Sequence, residues 1–370
     1  MLTKKLNIVS FDVPFPPNYG GIIDVFYKIK ELHNLGVDIY LHTFNNDIET
    51  QTELLKYCKK VYYYKRDLNF IKVFFQFPYI VKTRESEELT ENLLVNNFPI
   101  LFEGLHTTSP LLNTNFINRI IIVRTHNIEH KYYNGLAKSE TNIFKKLYFK
   151  TEAAKLKKYE IILNKADYIF TISPSEQQYF SKSFPSKPTY LPAFHGNCNV
   201  NSKLGKGKYA IYNGDIRIAD NLKACKYLIH IFSKIDFPLI ISSSFEKKYL
   251  LKLIKQYKNI SFIKTSNKHE IEDLLCNAHI NLLPTFQNTG IKLKLINALF
   301  NSRFCIANDA MIKKTGLEKL CLLANSKKEF ITKINEVIKC DFTEDIINER
   351  IKTLFQFSNL ANAQKIIKLI

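Results

Sequence analysis

Residues 284–294, PTFQNTGIKLK, hold the side chains best placed to bind an anion: Thr289 as a helix cap, Gly290 in the first turn, and Lys292 and Lys294 in or beside that turn. A helix start disfavours nearby cations by a few tenths of a kcal/mol each, at the low end of ~0.3–1. A bound anion reverses that penalty. Backbone N–H groups, a glycine that lets a ligand approach and two lysines then make a diphosphate cradle. Against this stands a plain fact of composition: 53 of 370 residues are Lys or Arg, so two lysines on a surface need carry no meaning. Both readings stay open on the residues alone.

Three other groups carry polar chemistry. Gly20 and Gly21 follow a Pro-Pro turn and open a helix, where they either admit a ligand to the backbone or simply make the turn. His106, in FEGLH, leaves a strand and faces the same end of a sheet, as a polar cleft residue or as a catalyst. The string HNIEH, His126 to His130, fits His-x-x-Glu-His, which on one helical turn binds zinc and supplies a glutamate base. Here it follows the strand-like IIIVRT, so His126 is expected to end the strand and not to share a helix face with His130. GKGKYA (205–210) matches a dinucleotide fingerprint but precedes a strand, so the required context is absent.

The elements that position these residues alternate. Short β-branched or aromatic runs at 6–11, 37–44, 61–64, 100–103, 120–123 and 168–172 are separated by amphipathic ones. In GGIIDVFYKIKELHNLG, Ile22, Phe26, Ile29 and Leu32 share one helical face and Gly36 ends the helix. A second series follows at 209–212, 239–242, 260–263, 280–283 and 304–307, and in its last helix Ile291, Leu295, Ala298 and Leu299 form the inner stripe. Between the series lies a Pro-, Gly- and Ser-rich stretch read as a crossing between domains.

The expected fold class is therefore α/β, with two Rossmann-like domains whose parallel sheets face a cleft. The boundaries read as 1–190, 191–345 and a C-terminal helical segment, 346–370, packing back on the first domain. Ligands bind such sheets outside the carboxyl ends of their strands, where all the motifs above fall.

Composition bounds the partners. A formal charge of +19 suits an anion: nucleic acid, an acidic membrane surface or a phosphorylated small molecule. Nucleic acid ranks low because no aromatic-interleaved basic patch or recognition helix is present. Seven scattered cysteines without a Cys-x-x-Cys pair argue against a disulfide framework or zinc-thiolate site and suit a reducing cytoplasm. No signal-peptide core is expected, and no apolar run approaches the ~20 residues of a membrane span. The stretch 144–166 carries seven lysines, with Phe149, Ala153, Leu156, Tyr159 and Leu163 as a helical stripe. That stripe either rests on an anionic membrane or packs into the core. No Asp-x-Asp pair exists to hold a metal on a donor diphosphate, so no metal and no cofactor are expected.

Taken in order, FPPNYGG, RTHNIEH, ADYIFTISPSE, YNGDI and PTFQNTGIKLKLINAL resemble the GT-B glycosyltransferases of family 4, over nearly the whole chain. The TGIKLKL string followed by Asn resembles a bacterial, mannosyltransferase-like subgroup. The resemblance implies a retaining transferase that moves a hexose from a nucleotide-diphosphate sugar to a glycan or lipid-linked acceptor in surface polysaccharide or glycan biosynthesis. It implies a cytoplasmic enzyme, peripheral on the inner face of the membrane. It puts Gly20 and Gly21 by the donor phosphate and acceptor, His106 beside the transferred sugar, and residues 290–294 on the diphosphate and part of the sugar, with Gly290, Ile291, Lys292 and Lys294 named as donor contacts. Thr289 and Asn297 stand where the family's two motif glutamates stand. Gly214 is followed by Asp215 and not by the family's Arg, with Arg217 as the nearby cation. Gly214 joins the donor side; Asn18, Tyr19, His126 and Asn127 join the acceptor side. Catalysis is implied to rest on His106, Lys292 and Arg217. The rivals are a non-catalytic GT-B scaffold, favoured by the two missing carboxylates, a zinc hydrolase built on HNIEH, and a nucleotide-sugar epimerase.

Overall fold

The computed structural model describes residues 3–45, 51–185, 187–286 and 293–370. They divide into two compact units: one runs to Gly196 and takes back Gln356–Ile370, the other lies between.

Among the described residues, the first unit holds a seven-stranded parallel sheet in the order β3-β2-β1-β4-β5-β6-β7. The strands are β1 (Lys5–Ser10), β2 (Asp38–Asn45), β3 (Lys60–Lys65), β4 (Ile100–Glu103), β5 (Ile121–Arg124), β6 (Tyr168–Thr171) and β7 (Pro188–Tyr190). Central strands are mostly apolar on both faces because both faces of the sheet are covered. Side chains alternate between the two layers. Val9, Phe102, Val123 and Ile169 belong to one core. Their neighbours Ile8, Leu101, Ile122 and Phe170 belong to the other. Helix Gly20–Asn34 buries Ile22, Val25, Phe26, Ile29 and Leu32 and stops at Gly36, whose φ of +80° suits a residue without a Cβ.

The second unit holds a six-stranded parallel sheet, β10-β9-β8-β11-β12-β13. Its strands are β8 (Ala210–Asn213), β9 (Leu239–Ser243), β10 (Ile260–Lys264), β11 (Ile280–Leu283), β12 (Phe304–Ala307) and β13 (Leu322–Leu323). In both sheets the chain starts at the centre, winds outward and then reverses, between β1 and β4 in one and between β8 and β11 in the other. Such reversals leave a crevice beyond the strand ends.

The units divide six residues later than position 190 and ten later than 345. Residues past 190 are still tied to the first sheet, since Leu191 N–H donates to Thr171 O at 2.9 Å and Phe194 N–H to Asp24 Oδ1 at 2.7 Å. Helix Glu344–Leu354 stays with the second unit because the buried Arg350 donates to Arg303 O at 2.5 Å and Ser202 Oγ at 2.8 Å, and also to Ser302 O. The last helix, Asn359–Ile367, packs on helix Gly20–Asn34, burying Ala363 and Ile366. Full burial of a side chain such as Ile366 contributes about 1.5–3 kcal/mol.

Candidate functional site

At the first reversal, helix Gly20–Asn34 starts from an extended Tyr19 with no capping side chain and no acid in its first turn. Its leading N–H groups suit an anion. Gly21 is required by packing: a Cβ there would lie 2.7 Å from Cζ of Phe11. The Phe11 ring in turn lies 5.3 Å from His106 and 5.4 Å from His126. One aromatic side chain thus joins Gly21 to both histidines. His106 sits in the short turn Leu105–Thr107 after β4, and Gly104, at φ +74°, leaves room for it, since a Cβ would come 2.7 Å from Nδ1. Burial, and then Arg84, His126 and Arg66, hold the imidazole well below its usual range, so it is neutral at physiological pH. Its Nδ1 has no partner among the described residues. A neutral ring nitrogen of this kind can bond a sugar hydroxyl or oxygen. Of the acceptor-side residues, Asn18 and Tyr19 are exposed, Tyr19 donating to Asp12 Oδ2 at 2.9 Å, while His126 is buried and Asn127 half-buried with Oδ1 unpartnered.

Behind this surface lies a buried charge network that the sequence reading missed. His126 Nε2 meets Glu103 Oε2 at 2.9 Å, and Lys28 Nζ lies 2.6 Å from Glu103 Oε1 and 3.1 Å from Asp24 Oδ2. Arg124 grips Asp24 through Nε and Nη2, both at 3.1 Å. Asp24, Lys28, Glu103 and Arg124 are fully buried, and their formal charges cancel. Burial pushes both carboxyls up, but their cations win and hold them below the usual carboxylate range: Arg124 and Lys28 for Asp24, Lys28 and His126 for Glu103. Ligand atoms of Asp24, Glu103 and His126 all lie within 4.8 Å of one another, a spacing a metal could use. The Lys28 ammonium bonds both carboxylates and so stands where that cation would. The signal was present in the sequence: Asp24 and Lys28, one turn apart, break the apolar inner face of the first helix.

HNIEH does not converge. His126 lies two residues past the end of β5 and turns to Glu103, whereas His130, in helix Glu129–Ser139, meets Glu160 Oε1 at 2.7 Å. Glu129 is buried, with Oε1 unpartnered, and burial, then Glu176, pushes its carboxyl up to about 8 from 4.5. A raised native value confers stability that is complete below about 4.5 and is lost as pH climbs through about 8. Glu129→Gln is therefore expected to remove a slope of up to about 1.4 kcal/mol per pH unit. Urea unfolding at several pH values across that window checks this; parallel slopes for wild type and variant would refute it.

At the second reversal, β8 leads into Gly214, whose N–H donates to Ser242 O at 3.0 Å. A Cβ on Gly214 would sit 2.8 Å from Lys294 Nζ and 3.1 Å from Tyr212 Oη. Lys294 Nζ is held by Asn221 Oδ1 at 2.9 Å and Tyr212 Oη at 3.2 Å, above the Tyr212 ring. The fold thus brings Gly214 and Lys294 together from positions 80 residues apart. Arg217 stands differently: it pairs with Asp215, Nη2 to Oδ2 at 2.7 Å, and stacks 3.5 Å from the Phe245 ring centre. Its charge is largely spent on that neighbour. In helix Leu293–Asn301, Leu295, Ala298 and Leu299 face the core as expected, and Asn297 accepts from Asn301 Nδ2 at 3.0 Å. The loop into this helix begins pinned to Asp220, which accepts from Thr285 Oγ1 at 2.8 Å and Phe286 N–H at 3.0 Å. Thr289, Gly290, Ile291 and Lys292 lie outside the described residues.

The fold built on these two parallel sheets recurs in solved structures. TarM matches with a TM-score of 0.70 at 11% identity, covering 99% of this chain and 98% of that one. Sucrose-phosphate synthase from Thermosynechococcus elongatus matches at 0.66 and 15%, covering 99% and 98%. The fold is GT-B. MurG of Acinetobacter baumannii matches at 0.54 and 12% identity, covering 99% of both chains. At such identities the likeness concerns the GT-B fold and no substrate. In sequence, the chain is 27% identical over 378 residues to an uncharacterized 44.6 kDa protein in the cps region of Klebsiella pneumoniae, covering 93% of this chain and 90% of that one. No family model matches.

Proposed function

We propose that this GT-B protein is a glycosyltransferase that moves a hexose from a nucleotide-diphosphate sugar to a glycan or lipid-linked acceptor, with retention, in polysaccharide or glycan biosynthesis. The observation that carries the reading is the pair of reversals: a glycine-opened helix with neutral His106 at one, Gly214 and Lys294 at the other. A TarM structure from S. aureus that this fold also matches, at a TM-score of 0.65 and 12% identity, holds UDP and alpha-GlcNAc-glycerol. The cps-region relative supports a place in polysaccharide synthesis.

In this reading Lys294, Lys292 and Gly290, with the start of helix Leu293–Asn301, bind the diphosphate and stabilise the charge that develops on it as it leaves. Thr289, Ile291 and Asn297 contact the sugar and ribose, Asn297 replacing a carboxylate with an amide. The acceptor hydroxyl arrives on the face the diphosphate leaves, and the departing oxygen takes its proton. His106 positions the sugar through its neutral imidazole, and Gly20 and Gly21 let the donor phosphate and acceptor approach the first helix. Asn18, Tyr19, His126 and Asn127 serve the acceptor, while Arg217, paired as it is, tunes the field around Asp215. No metal is needed where lysines and helix N–H groups carry the charge.

The protein works on the cytoplasmic side, peripheral to an anionic membrane. Among the described residues no helix is long and apolar enough to cross one. Helix Ile143–Tyr159 turns Ala153, Leu156 and Tyr159 into the core and exposes Ile143, Phe144 and Leu147 beside Lys145, Lys146 and Lys150, which suits contact with such a surface. Thr289 and Asn297 favour a second reading, a non-catalytic scaffold of the same fold. A thermal-shift screen of UDP, GDP, ADP and CMP and their sugar conjugates, with and without EDTA, separates the two. EDTA-insensitive stabilisation by one nucleoside diphosphate, worth about 2.7 kcal/mol at a hundredfold excess over Kd, is expected. No stabilisation by any of them would move the scaffold reading to first place.

A further inference from the structure

Beyond β3 the first unit carries an open cleft of about 580 Å³ lined by Lys65, Arg66, Asp67, Leu68 and Asn69. Arg66 has no carboxylate within 4 Å among the described residues. Its Nη2 reaches Thr83 Oγ1 at a long 3.4 Å, and its Nε is buried without a partner. Asp67, next to Arg66 in sequence, pairs with Lys72 at 2.8 Å, and Glu85, next to Arg84, pairs with Lys82. Next to Thr83 stands Arg84, buried, donating to two neutral carbonyls, Phe11 O at 2.8 Å and Ile80 O at 2.9 Å. Burial, then the charge of Arg66, pushes Arg84 down to about 10. Asp12 attracts it from beyond ion-pair distance, its oxygens taken by the Tyr19 hydroxyl and Val13 N–H. Two guanidinium groups that repel each other, one buried and neither in an ion pair, are costly unless an anion joins them.

The same stretch of chain then becomes apolar. Leu68, Phe70, Ile71, Phe74 and Phe75 are exposed by 47, 68, 63, 79 and 47%. The turn that displays them is held in place, with Lys155 Nζ on Val73 O at 2.5 Å and Lys72 Nζ on Lys82 O at 3.0 Å. A fixed cationic cleft running into a fixed aromatic ridge complements an amphiphile with an anionic head.

We propose that Arg66, backed by Arg84, binds the phosphate or diphosphate head of a lipid whose hydrocarbon lies on Phe70, Ile71 and Phe74. The inference rests on the transferase reading only in naming that lipid as the acceptor. Phe11 links the two ends of the site: its carbonyl accepts from Arg84, and its ring packs on His106. A headgroup at Arg66 thereby belongs to the same neighbourhood as the imidazole assigned to the sugar.

Co-sedimentation of the full-length protein with vesicles tests this. Phosphatidylcholine vesicles doped with phosphatidic acid, a phosphate monoester, are expected to bind about tenfold more tightly than vesicles doped to equal charge with phosphatidylglycerol. Arg66→Gln is expected to remove that preference, Arg66→Lys to restore part of it, and Phe70→Ser/Phe74→Ser to weaken binding to both vesicles. Millimolar inorganic phosphate is expected to compete only weakly. Equal binding of the two anionic vesicles, wild-type behaviour of Arg66→Gln, or full displacement by inorganic phosphate would each overturn the proposal, the last by assigning the site to free phosphate. Thermal stabilisation by nucleoside diphosphates, measured on the same variants, is expected to be unchanged. Its absence from wild type would count against the transferase reading and not against the lipid site.

Discussion

Lys294→Ala is expected to lower turnover by about 10²–10³-fold, the range that follows loss of one preorganised charge-stabilising group. The side chain is oriented before any ligand arrives, held by Asn221 Oδ1 at 2.9 Å and Tyr212 Oη at 3.2 Å next to the bare backbone of Gly214. A flexible surface lysine would lose much of its effect to rotamer entropy; this one has already lost that freedom on folding. Lys292→Ala is expected to act in the same direction through the same diphosphate. The structural cost of Lys294→Ala is modest beside that loss, because each hydrogen bond removed contributes about 0.5–1.5 kcal/mol. Steady-state rates with the donor found by the nucleotide screen, beside melting curves, separate the effects. Unchanged turnover in a folded Lys294→Ala protein would remove the lysine from the mechanism.

Lys28→Met is expected to cost about 3–5 kcal/mol of stability, because it leaves Asp24 and Glu103 buried with one cation fewer. Against a total of about 5–15 kcal/mol this is enough to unfold much of the population on warming. Lys28 bonds both carboxylates, and His126 depends on Glu103 for its orientation, so the variant also loosens the histidine next to Phe11. The pH dependence has a definite sign. Asp24 and Glu103 both titrate below their unfolded values in the native protein, so the stability they confer is present above the ordinary carboxylate range and is lost as pH falls through the native values. Lys28→Met is expected to raise the pH at which acid unfolding begins, and Lys28→Met/Glu103→Gln to recover part of the loss by removing the stranded charge. Urea titrations from pH 3 to 7 provide the check; a cost below about 1 kcal/mol would mean that the network is not held as an interior ion cluster.

The parallel sheets were legible because strands buried on both faces open on short apolar runs, as in ILF of β4 and IIV of β5, and because Gly36 marks a helix end. Two edge strands were not. β7 begins with a proline inside a stretch of linker-like composition, and β13 is two residues long; both are fixed by pairing with a neighbour rather than by local pattern. The candidate residues His106, Gly21, Gly214 and Lys294 were legible from their place after strands. What ties Gly21 to His106 and His126 was not: Phe11 is an ordinary apolar residue in the sequence, and its place between Gly21 and the two histidines exists only in three dimensions. HNIEH illustrates the converse, since a motif's spacing has meaning only on the element that realises it, and here a strand end and a helix send its histidines to different carboxylates. The lysine-rich helix was half legible: periodicity found the stripe that packs inward, while Ile143, Phe144 and Leu147 lie outside that period.

The central claim, that the chain turns over a nucleotide-diphosphate sugar without a metal, is tested most directly by measuring nucleoside diphosphate release from a panel of sugar donors by the purified protein in excess EDTA, with and without a lipid-phosphate acceptor. Release from one donor, accelerated by the acceptor and lost in Lys294→Ala, is the expected result. No release from any donor, by a folded protein that also fails to bind every nucleoside diphosphate, would contradict it and leave a GT-B scaffold.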